Sequence, residues 1–134
     1  MTDLLTLEEY KEASGLTNNK EDVRLQVLVS SVSQLVKTYC SRTFIDYVST
    51  DRVQILSLNH DTDSLDLAEF PIISVASIEI RDAYNESYKP LTEAAYEFYI
   101  DTELDLLIRT HGGRGYLIWP KGPGGIKVTY RGGY

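Results

Sequence analysis

From Leu25 to Cys40 the apolar residues recur every three or four positions, and after Arg42 that rhythm stops. Leu25, Leu28, Val29, Val32, Leu35, Val36, Tyr39 and Cys40 share one side of a helix of about 3.6 residues per turn. Arg24, Gln26, Ser30, Ser31, Gln34, Lys37 and Thr38 take the other. The pattern predicts a helix running to about Ser41, about 30 Å long. Its stripe reads as a core-facing surface, with Cys40 a buried, inert thiol. Val23 and Val27 fall off the stripe and offer a second contact surface.

A shorter helix precedes it, over Leu7 to Ser14. Thr6 and Glu9 have the spacing of a capping box, Leu5 and Tyr10 that of a hydrophobic staple, and Gly15 suits a left-handed C-terminal cap. Asn18 or Asn19 reads as the N-cap of the long helix.

Beyond Arg42 come short β-branched and aromatic runs, separated by Asn, Asp, Gly and Pro: 44–48, 51–58, 64–67, 72–80, 96–100, 104–109, 115–119 and 125–130. Residues 101–103 are short enough to join two of them as a hairpin. Ile126, Val128 and Tyr130 alternate with Lys127, Thr129 and Arg131, as in a half-exposed strand. Helices first and strands afterwards give an α+β class: a helical hairpin packed on a mainly antiparallel sheet region. The 134 residues fit one domain, 1–134, helical over 1–43 and strand-rich over 44–134.

Several chemistries fail on spacing. The segment Asn59-His60-Asp61-Thr62-Asp63-Ser64-Leu65-Asp66 gathers oxygen ligands, yet counted from Asp61 it lacks the glycine and glutamate of an EF-hand loop, and reads as a polar turn. The glycines at 112, 113 and 115 and at 122, 124 and 125 match no phosphate-binding fingerprint and read as turns. His60 and His111 both lie in turn-like segments, Cys40 is a lone cysteine, and no nucleophile–base pair emerges. No catalytic residue, metal site or cofactor is expected. The N-terminus is acidic where a secretory leader would be basic, and no apolar run approaches a membrane span, so an intracellular, non-membrane protein is expected.

The net charge of −7 argues against ordinary affinity for a phosphate backbone. The last quarter is nevertheless locally basic, with Arg109, Arg114, Lys121, Lys127 and Arg131 among Tyr116, Trp119 and Tyr130. Base stacking on such aromatics makes a single-stranded nucleic-acid binding module the rival reading.

Short signatures in order carry a family resemblance: Leu7-Glu8-Glu9-Tyr10-Lys11; Tyr39-Cys40-Ser41-Arg42-Thr43-Phe44; Phe70-Pro71-Ile72-Ile73-Ser74-Val75-Ala76-Ser77-Ile78; and Trp119-Pro120-Lys121-Gly122-Pro123 leading into Ile126 to Tyr134. Together they resemble the head–tail connector (adaptor, head-completion) proteins of long-tailed bacteriophages. The resemblance implies a structural protein of the virion neck, made in the host cytoplasm. It implies a ring of copies, typically a dodecamer, joining the portal to a tail-completion or stopper protein around a channel through which DNA passes without specific binding. Relatives often continue past the last strand into a further helical segment, whereas this sequence stops at Tyr134. A docking element placed there in relatives is thus expected to be missing, supplied elsewhere or outside this stretch.

Polar turns are where neighbours commonly dock, so residues 59–64, 82–89 and 110–124 are the expected contact segments. The candidate interface residues are Asn59, His60, Asp61, Tyr84, Asn85, Arg114, Trp119, Lys121, Lys127, Tyr130 and Tyr134. The strand from Ile126 to Tyr134 is a further candidate, by strand addition to an adjacent subunit.

Overall fold

The structure, a computed structural model, describes residues 2–134 except the side chain of Ala94. Helix α1 spans Leu7–Ser14 and its ends follow local chemistry. The Glu9 amide donates to Thr6 Oγ1 at 3.1 Å, and the Thr6 amide donates to the Glu9 carboxylate at 3.2 Å. Gly15 adopts φ 72°, and the amides of Gly15 and Leu16 return to the carbonyls of Glu12 and Lys11.

Helix α2 spans Asp22–Cys40. Its N-cap is Glu21, with no side-chain cap bond, rather than Asn18 or Asn19. Asn18 instead accepts from the Lys20 amide, closing a local turn. Lys11 spans the two helices, reaching Asn19 and Asp22 at 2.8 Å each.

Seven strands follow: β1 Arg52–Leu58, β2 Ser64–Asp66, β3 Ile72–Ile80, β4 Lys89–Leu91, β5 Phe98–Asp101, β6 Leu106–Arg109 and β7 Gly122–Gly132. They form two antiparallel sheets, ordered β1-β7-β3-β4 and β2-β6-β5. The α+β class and the antiparallel pairing are as expected, and β5–β6 is the expected hairpin. Two expected strands are absent. Residues 44–48 form turns, with Phe44 at φ 68°. Residues 115–119 form a loop that touches the sheet through one bridge, Thr110 to Tyr116. Conversely, Gly122 to Gly125 extend β7 instead of making a free turn.

One core lies between the sheets. Ile78, Ile126, Val128 and Tyr130 come from the larger sheet and Leu65, Phe98 and Leu107 from the smaller, with Leu67 and Trp119 closing the cluster from loops. The alternation in β7 is as expected, with Ile126, Val128 and Tyr130 inside and Lys127, Thr129 and Arg131 half-exposed.

The joint between helices and sheets is polar. Lys37, buried, meets Asp46 at 2.7 Å and also donates to the Thr2 carbonyl. Glu69, wholly buried, accepts from the amides of Thr43 (2.8 Å) and Phe44 (3.2 Å) and from Arg52 (2.7 Å). Arg42 stacks 3.5 Å from the Phe70 ring centroid, with Phe44 and Tyr134 also near its guanidinium. These bonds hold the end of α2 while leaving most of its length outside the core.

Candidate assembly surfaces

The polar turn 59–64 and the loop 110–121 meet in space. The Trp119 indole N–H donates to the Asp63 carbonyl and its amide to the Thr62 carbonyl, both at 2.9 Å. Lys121 reaches Asp61 at 2.7 Å, and this hydrogen-bonded ammonium holds the Asp61 carboxyl below its ordinary value. Asn59, His60, Asp61 and Lys121 are therefore exposed on one rim, while Arg114, also exposed, sits further along the loop, where Gly113 donates to the Tyr96 carbonyl. Tyr84 and Asn85 are exposed on the separate β3–β4 loop, and Tyr134 is exposed at the chain end beside Arg42.

Two candidate residues are not surface groups. Trp119 is 1 % exposed and Tyr130 is fully buried, because both complete the core between the sheets. Tyr130 donates to Gln54 at 2.8 Å and accepts from the Glu69 amide at 3.0 Å; burial pushes its phenol up, against the opposing effect of that amide. Neither ring can stack on a base. The basic quarter is also largely neutralised at close range: Lys127 by Glu79, Arg131 by Asp51 and Lys121 by Asp61.

Strand addition through the C-terminal strand is likewise corrected. β7 lies between β1 and β3 and is paired on both sides. The longest free edge belongs to β1, which exposes Val53 and Ile55. The opposite edge, β4, is three residues long and carries Lys89 and Pro90, features that discourage further pairing.

The largest departure is the orientation of α2. Residues 2–4 run along its polar side, where Leu4 donates to Ser33, and Gln26 and Ser30 donate to Asp3. Its apolar stripe is largely outward: Val29 is buried and Leu25 half-buried, but the rest is not covered. Leu28, Val32, Leu35, Val36 and Tyr39 are all exposed, Leu35 by 67 % and Tyr39 by 88 %. Cys40 is exposed too, not a buried thiol. Leu5 and Tyr10 join Leu25, Leu28, Val29 and Val32 around an apolar groove of about 260 Å³. The spacing of the stripe was legible in the sequence; that the chain leaves it uncovered was not.

Among the described residues, no three His, Cys, Asp or Glu side chains gather as a metal-ligand set. No helix among them is long and apolar enough to cross a membrane. A family model described as "Head completion protein" matches residues 3–118. The chain belongs to the head completion protein family. Membership carries a structural role in the bacteriophage head, and with it a place in the virion and contacts with other head and tail proteins. The matched span includes both helices, the 59–64 turn and the loop up to Ile118, ending before Trp119, Lys121 and β7. No curated protein matches the chain.

Proposed function

We propose that the protein is a ring-forming adaptor of the virion neck. Copies, as a dodecamer, sit beneath the portal, receive a tail-completion or stopper protein, and enclose the DNA channel. The observation that carries this reading is the outward-facing apolar stripe of α2. Monomeric soluble proteins rarely expose contiguous apolar patches beyond about 300–600 Å², and five large side chains of this helix stand open together with a groove beside them. A protein built to be covered by neighbours has that surface.

The acidic balance suits the second part of the role. A net charge of −7 lets duplex DNA pass an assembled ring without adhering, since binding requires cations to displace condensed counterions. The burial of Trp119 and Tyr130 and the pairing of Lys121, Lys127 and Arg131 take from the nucleic-acid-binding alternative two of its three aromatics and three of its five cations, leaving Tyr116 and Arg114 exposed.

Electron microscopy of the protein mixed with purified portal rings tests the proposal. A continuous extra collar on the portal is the expected result. Portal rings that stay bare at saturating protein count against it.

A further inference from the structure

Resting on the ring reading above, we infer that α2 makes the copy-to-copy contact, its apolar seam receiving the Val23–Val27 side of α2 from the next copy. Leu25, Leu28, Val32, Leu35 and Tyr39 are spaced three, four, three and four residues apart. That alternation averages about 3.5 residues and makes the narrow seam on which another helix packs, side chains of one entering gaps of the other. A flat sheet or an irregular loop does not call for such a repeat. The seam is exposed from Leu28 to Tyr39, and at its N-terminal end half-buried Leu25, with Leu28 and Val32, lines the apolar groove that Leu5 and Tyr10 also line.

Charge selects a second copy as the occupant. The protein carries 20 acidic residues against 13 basic ones, so copies repel at most of their surface. Helix α2 is the exception. From Val23 to Cys40 it holds no Asp or Glu, and of its two cations, Arg24 and Lys37, the second is buried against Asp46. Two such helices approach without like-charge acidic repulsion, and depletion of charge is characteristic of interface centres.

The second patch sets the symmetry. Val23 and Val27 are 84 % and 60 % exposed and lie roughly a third to a half turn around the helix from the seam. A helix with one apolar face pairs with itself and stops. Two separate apolar faces allow each copy to be held on one side and to hold on the other, the head-to-tail contact that closes rings.

The test uses three full-length variants at exposed positions, Leu35→Glu, Val27→Glu and Val53→Glu, checked for native far-UV circular dichroism. Association is followed by sedimentation at rising concentration, then with portal rings added and viewed by electron microscopy. The wild type and Val53→Glu are expected to self-associate in at least one series. Leu35→Glu and Val27→Glu, each alone, are expected to weaken lateral association at least tenfold. Their equimolar mixture retains one intact seam and one intact Val27 side, and is expected to form one-to-one pairs and nothing larger. Leu35→Glu associating like the wild type overturns the inference and leaves the ring reading standing. The same holds for Val27→Glu associating while Leu35→Glu does not, or for Val53→Glu losing as much as either. Wild-type protein that stays single in both series overturns the ring reading, and this inference with it.

Discussion

The carboxylate of Glu69, which has no exposed surface, lies 2.7 Å from the guanidinium of Arg52. Arg52 begins β1, and Glu69 also takes the amides of Thr43 and Phe44, just beyond the end of α2. One side chain therefore ties the helical part to the larger sheet. Removing Glu69 leaves the Thr43 and Phe44 amides unpaired, at about 1–3 kcal/mol each, while Arg52, 27 % exposed, can turn to water. Glu69→Ala is expected to lower unfolding stability on that scale in urea titration. Glu69→Gln keeps an acceptor for the amides and is expected to lose less. Equal stability of Glu69→Ala and wild type would show that the joint lies elsewhere.

Arg42 is held differently, by faces rather than by a carboxylate. Its guanidinium lies 3.5 Å from the Phe70 centroid and 4.7 Å from that of Phe44, and it donates to the Phe70 carbonyl. A planar cation fits between rings where a round ammonium does not. Cation–π contacts of this desolvated kind contribute about 2 kcal/mol, so Arg42→Lys is expected to lose stability on that scale despite keeping the charge. A change in the urea midpoint too small to measure would rule this out.

These joints explain what the sequence did not reveal. Helix α1 was legible to the residue because its signals, Thr6, Glu9 and Gly15, act within a few positions. Strand β3 was equally plain in its unbroken run from Ile72 to Ile80. Residues 44–48 look like a strand but turn instead, since the amides at 43 and 44 go to Glu69, some 25 positions away. Loop 115–119 has a strand's composition, yet Trp119 is drawn into the core and bonded to the backbone at 62 and 63. Periodicity showed which residues of α2 share a face. It could not show what covers that face, because residues 2–4 occupy the polar side through hydrogen bonds that carry no repeat.

Tyr130 gives a pH dependence with a definite sign. Burial raises its phenol above the ordinary value of 10.0, so the protonated form is favoured in the folded chain. The stabilisation is complete below about pH 10 and falls as pH rises through the raised folded value. Alkaline unfolding monitored by circular dichroism is expected to steepen above pH 10. Tyr130→Phe removes this ionisation and leaves the Glu69 amide without its acceptor, for about 1–3 kcal/mol at neutral pH. A variant as stable as wild type at pH 7 would contradict the hydrogen-bonding role.

Asp61 and Lys121 make the contrasting case of an exposed pair. Their 2.7 Å contact depresses the Asp61 carboxyl, but both groups face solvent. Lys121→Ala is expected to raise the Asp61 titration in carboxyl-carbon NMR and to leave the thermal midpoint almost unchanged, as exposed pairs contribute little. An unmoved Asp61 titration would mean the pair does not persist in solution.

The end of β7 has the least room of any glycine position at normal φ. A Cβ on Gly132 would lie 2.5 Å from the Glu69 carbonyl oxygen and 3.1 Å from that of Pro71, both backbone atoms that cannot swing aside. The Gly132 amide meanwhile donates to Tyr47 and the Gly133 amide to Pro71, so the strand end is bound on two sides where it passes between the 44–47 turn and the 69–71 turn. Gly115 is the useful control: it has φ 84° but open space around the missing Cβ. Gly115→Ala is expected to cost about 1–2 kcal/mol, the strain of the left-handed conformation alone. Gly132→Ala has no such strain, yet forces the Glu69 backbone outward, loosening the carboxylate that holds Thr43, Phe44 and Arg52. It is expected to cost about 3 kcal/mol, at the upper end for overpacking, and to speed amide exchange at 43 and 44. A Gly132→Ala protein no less stable than Gly115→Ala would show that the strand end can shift without disturbing Glu69.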